Sequence, residues 1–143
     1  MNQLINTLNE YLVKKAPAIP ANIKEILVKY APWIVIIGIV VSIPAILAIL
    51  GLGSITYSIM GSYFAARVGF QYTLSIVFLA ASIILKALSV PGLMAKSLKG
   101  WNFVFYGILV EVVYSLLSGN ILGGIIGVLI SLYVLFQVKT YYK

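Results

Sequence analysis

The chain is 143 residues long, 62% hydrophobic and 9% charged, with a mean hydropathy of +1.10, which excludes a water-facing domain built around one core. Ten Lys and Arg stand against three acids, Glu10, Glu25 and Glu111, and membrane topology accounts for this net charge of +7 without nucleic acid as a partner. Cys, His and Asp do not occur, which excludes thiolate nucleophiles, disulfides, haem or iron–sulfur ligation and the usual zinc sets, so no metal, cofactor or catalytic residue is expected.

Met1 to Thr7 carries no Lys or Arg and no apolar h-region follows it, so the N-terminus is expected to be retained. From Asn2 to Lys15 the residues Leu4, Ile5, Leu8, Tyr11 and Leu12 fall on one helical face, with Asn6, Asn9, Glu10 and Lys14 opposite. This amphipathic helix is expected to lie on the membrane surface; a cap that binds a partner, or the same helix of another copy, satisfies the same periodicity. Pro17 and Pro20 form a stiff hinge before a second amphipathic turn, Asn22 to Tyr30. Residues 1–30 are thus a cytoplasmic-side segment, and 31–143 a transmembrane domain.

Trp33 to Leu50 is uncharged and long enough to cross, with Pro32 suited to the first turn of its helix. Pro44 should kink this first span near Val40, whose carbonyl then needs Ser42, a neighbour or water. Ser54 to Ala66 is short and two-faced, and reads as an interfacial or re-entrant helix closed by Arg67 and Gly69. Phe70 to Val90 gives a second span, Trp101 to Ser118 a third and Ile121 to Val138 a fourth, with a basic connection holding Lys96 and Lys99 between the second and third.

Nine of the ten basic residues (Lys14, Lys15, Lys24, Lys29, Lys86, Lys96, Lys99, Lys139 and Lys143) then fall on one side and Arg67 on the other. The positive-inside rule places both termini in the cytoplasm of a multi-pass cell-membrane protein. Tyr30, Trp33, Trp101, Tyr106, Tyr133, Tyr141 and Tyr142 gather near the inner boundary and Tyr57, Tyr63, Phe70 and Tyr72 near the outer one, as aromatic belts do. Trp33, Trp101, Lys96 and Lys99 are the candidate membrane-interface residues. The expected fold is all-α, with four transmembrane helices flanked by amphipathic ones.

Gly119, Gly123, Gly127 and Ser131 recur every four residues, with Gly124 alongside, and line a ridge where another backbone can approach. Contact with span three is one reading; contact between protomers is the other. Glu111 lies near the middle of span three, where a carboxylate either marks an ion or proton pathway or clamps a neighbour such as Tyr114, Ser115, Ser75 or Ser82. Lys86 is expected to snorkel to the inner headgroups in preference to reaching Glu111. A Ser-Lys dyad of Ser82 or Ser89 with Lys86 rests on spacing alone.

The stretch PGLMAKSLKGWNFVFY from Pro91, followed by SGNILGG and LYVLFQVKTYYK, resembles short bacterial four-helix membrane proteins sometimes labelled chromate-transporter-like. The resemblance covers roughly the last third of the chain and implies no functional residue. The expected function is non-catalytic: a scaffold or membrane-shaping protein that acts through assembly, as a homo-oligomer or a subunit of a membrane complex. The alternative is a small transporter or ion-channel subunit that uses Glu111.

Overall fold

The computed structural model describes residues 2–47 and 53–143, with side chains described at 2–43 and 73–143. Every element among them is helical. Helix α1 spans Asn2–Asn9 and runs into a π-helical turn, Glu10–Lys15; α2 spans Ala21–Leu47, α3 Gly53–Met94, α4 Leu98–Ser118 and α5 Ile121–Gln137, before a final 3-10 turn, Lys139–Tyr141. Helix α3 packs against both α2 and α4, α4 packs on α5, and the π-helical turn lies on α5.

Local chemistry sets these boundaries. The Pro20 carbonyl accepts from the amides of Ile23 and Lys24 and so starts α2, while Ser97 caps α4 by accepting from the Gly100 amide. Helix α3 ends where the Lys96 amide donates to Leu93 and the Ser97 amide to Gly92, the pair of bonds that closes a helix around a left-handed residue. That residue is Lys96, at φ 51, where a lysine costs about 1 kcal/mol more than glycine. Gly119, at φ 77, makes the corresponding left-handed turn between α4 and α5.

Several expected boundaries move. Pro32 is not in a first turn: α2 has already run from Ala21, and Pro32 is a buried interior residue. Ser42 donates to the Gly38 carbonyl at 2.7 Å and not to that of Val40. The break expected at Arg67 and Gly69 does not occur; α3 is helical through both, because one interior glycine costs a helix only about 1 kcal/mol. Its 42 residues measure about 63 Å, twice a hydrocarbon layer of about 30 Å. The side chains of Arg67, Tyr57, Tyr63, Phe70 and Tyr72, and residues 48–50 of the first span, lie outside the described residues.

Among the described residues, three helices are long and apolar enough to cross a membrane: Ala21–Ile43, Thr73–Met94 and Leu98–Ser118. Ile121–Gln137, expected as the fourth span, is apolar but shorter. This is the composition of an integral membrane protein.

The core sits at one end of the bundle, where the α3–α4 turn, the start of α2 and the end of α5 meet. Val28, Leu93, Trp101, Phe105, Leu135 and Phe136 form its centre. The Trp101 ring stacks on Phe105 at 5.6 Å and meets the edge of Phe136 at 5.2 Å, and all three are at most 1% exposed. Lys14, Lys15, Lys96, Lys99, Lys139 and Lys143 lie on the segments gathered here, so it is called the basic end. The Lys143 backbone joins it, donating to the Lys96 carbonyl and accepting from the Leu98 amide. Burial raises the Tyr142 phenol above its ordinary value of 10.0.

The N-terminal helices are fastened to the same end. A π turn sends the Leu12 carbonyl toward residue 17, which is a proline without an N–H. The Gln137 amide supplies the missing donor at 2.8 Å and takes the Ile19 amide on its oxygen, while the Tyr133 hydroxyl donates to the Pro17 carbonyl. Ile5, Leu8 and Leu12 pack against the core, and Leu4 and Tyr11 stay exposed. Most of the apolar face expected on the membrane surface is therefore covered by the chain itself.

Candidate functional site

The chemistry of the bundle concentrates where α3 faces α4. Gly92 lies against Gly100 at the basic end, and Ser75 and Phe78 lie against Tyr114 farther along, which fixes the antiparallel register. In that register Lys86 is level with Tyr106 and Glu111 with Ala81, about 7.5 Å apart along the axis. Helical side chains lean toward their own N-terminus. In an antiparallel pair, Lys86 and Glu111 therefore lean toward each other, and Nζ reaches within 3.8 Å of Oε1. Lys86 thus reaches the acid, the pairing that the sequence does not favour.

The pair is formed about 10 Å from the Ser118 end of α4, at a depth where a lone charge is costly. Both side chains remain open, Lys86 at 36% and Glu111 at 45% exposure. Tyr114 and Ser75, expected as clamps for Glu111, bond to each other at 3.0 Å. Ser89 is fully buried and donates to the Lys86 carbonyl at 2.7 Å. In the Ser89 form of the suggested dyad, the hydroxyl and the ammonium are each engaged elsewhere.

The small residues of the last hairpin divide into two sets. Gly124 is the residue on which α4 closes: a Cβ there would collide with the Ser115 side chain. Gly119 belongs to the turn. Gly123, Gly127 and Ser131 are exposed on α5, and a Cβ at Gly127 would have no atom within 4 Å. The last three members of the spacing lie exposed on α5 and do not make the contact with α4. A glycine's helical position cannot reveal which neighbour lies over it, so Gly124, one residue off the ridge, was the true intrachain contact.

The interface candidates separate as well. Trp33 is 57% exposed, and Lys96 and Lys99 are also exposed, as residues at a headgroup layer would be. Trp101 is instead fully buried; its indole donates to the Leu135 carbonyl at 2.9 Å, one of the groups the end of α5 leaves without a helical partner, and Lys139 lies over its ring at 5.1 Å. Belt and core occupy one depth here, and residue type does not distinguish them. The close backbone approach of Gly92 on Gly100 is not legible in the sequence; the flanking lysines and the turn mask it as an ordinary connection. The chain matches no protein-family model, no curated protein and no solved structure.

Proposed function

We propose that this protein is a non-catalytic scaffold or accessory subunit of the cell membrane, crossing it four times with both termini in the cytoplasm and acting through assembly with further copies of itself. The observation that carries this reading is the outward row Gly123, Gly127 and Ser131 on α5. Lipid tails gain nothing from glycine, and each interior glycine costs a helix about 1 kcal/mol relative to alanine. A second helix does gain, because small residues let two backbones close where no hydrophobic effect drives them together. The half-exposed Lys86–Glu111 pair supports the same reading, since an ion pair at that depth is costly to leave against hydrocarbon and is relieved by a covering subunit.

The test is the particle mass of the full chain in lipid nanodiscs. A fixed oligomer is expected, and Gly127→Leu should reduce it to folded monomers at unchanged helicity, because no atom of the same chain lies within 4 Å of that site. A parent protein that is monomeric in lipid refutes assembly. Transport remains the second reading because the Glu111 carboxylate is reachable; it replaces assembly if liposomes show pH-dependent flux that Glu111→Gln abolishes.

A further inference from the structure

A cleft of about 570 Å³ opens at the basic end between α2 and the α3–α4 turn, within the ~300–1,000 Å³ typical of small-molecule sites. Its floor includes Leu93, which is 3% exposed and part of the core, so that wall is fixed by packing. Its polar lining is Glu25, Lys29, Lys96 and Tyr141. Among the described residues the ion pair joins Lys86 to Glu111 alone, so neither cleft lysine is neutralised by Glu25. Two cations against one acid leave the cleft positive.

Its position selects the ligand. Lys29 lies on a stretch of α2 whose apolar side chains Ile26, Tyr30 and Trp33 are exposed. Met94, on the opposite wall, is 54% exposed. The charged groups therefore stand at headgroup level with apolar side chains beside them. A soluble phosphate compound would use the lysines and leave that apolar border unmatched; a lipid uses both. Lys96 adds a further sign, because it holds a left-handed position that glycine fills at lower cost.

We infer that this cleft binds the headgroup of an anionic glycerophospholipid, with its phosphate between Lys29 and Lys96, a headgroup hydroxyl donating to Glu25, and its acyl chains passing Met94. The site needs no second copy of the chain.

The experiment is native mass spectrometry of the full-length protein titrated with dioleoylphosphatidylglycerol, dioleoylphosphatidylcholine or sn-glycerol 1-phosphate. One phosphatidylglycerol per chain should be retained and phosphatidylcholine should not. Lys29→Gln and Lys96→Gly should each weaken retention about fivefold, the share of one lysine at a lipid surface. Lys96→Gly also relieves the left-handed strain, so its melting temperature should not fall, and lost lipid then reports the lost ammonium. Lys99→Gln, which removes the same charge from outside the cleft lining, should leave retention unchanged. Equal retention of the two lipids, or equal weakening by Lys99→Gln, overturns the site in favour of diffuse surface charge. Displacement of the lipid by sn-glycerol 1-phosphate at equal concentration overturns the lipid and makes the ligand a soluble phosphate.

Discussion

Gly100→Ala adds a single methyl where α3 and α4 touch through their backbones. A Cβ on Gly92 would lie 2.5 Å from the Cα and N of Gly100, about 0.9 Å inside the 3.4 Å at which ordinary contact begins. The reciprocal methyl on Gly100 meets the Gly92 carbonyl carbon and the Leu93 amide nitrogen, which are backbone atoms and cannot rotate away. The helices must therefore separate by nearly 1 Å, beside Trp101 and Leu93, in the best-packed part of the molecule. Overpacking of this kind costs about 1–3 kcal/mol, and the upper half applies when no side chain can yield. Gly107→Ala is the matched control: it lies two turns along the same helix, its Cβ would meet nothing within 4 Å, and it gains up to ~1 kcal/mol of helix propensity. The two variants should then differ by about 2–3 kcal/mol, or roughly 5–10 °C for a chain of this size. Thermal melting followed by circular dichroism in nanodiscs measures the gap. Equal melting temperatures would refute the backbone contact.

The Lys86–Glu111 pair should appear as a coupling in a double-mutant cycle: Lys86→Met and Glu111→Leu each destabilise by leaving the other charge alone, and the double variant should recover about 0.5–1.5 kcal/mol relative to their sum. Strict additivity in denaturant titrations would remove the pair from the account. Gln137→Leu keeps the side-chain volume but removes the donor of the Leu12 carbonyl and the acceptor of the Ile19 amide, and leaves the Pro17 carbonyl to Tyr133 alone, so trypsin should cut at Lys14 and Lys15 about 5–30-fold faster, the equivalent of losing ~1–2 kcal/mol of local stability. Unchanged cleavage would mean the N-terminal helices are held by their apolar contacts alone.

What the sequence disclosed follows the range of the physics. Apolar runs and their turns are local, so α4, α5 and the Gly119 turn were legible from composition and spacing, and so was an all-helical membrane chain. The ends of α2 and α3 were not. Pro32 and Gly69 carry local penalties of a few kcal/mol at most, and the helices run through both. Long-range pairings were harder still. The Glu111 partner required the register between α3 and α4, which the Gly92–Gly100 contact sets, and neither glycine lies in a repeating pattern. Trp101 reads as a headgroup-layer residue and is found buried, because an indole near a span end serves headgroups and a carbonyl at a helix end equally well.

The bonds from Gln137 have a consequence in time. They join residues 118 to 125 positions apart in the sequence. At 5–20 residues per second, a ribosome takes about 6–25 s to make that interval. Throughout it, Leu12 and Pro17 lack their later hydrogen-bond donors, and the apolar side of α1 has no α5 to rest on. A nascent chain of this protein thus carries an adhesive amphipathic helix, which α5 withdraws once it has emerged.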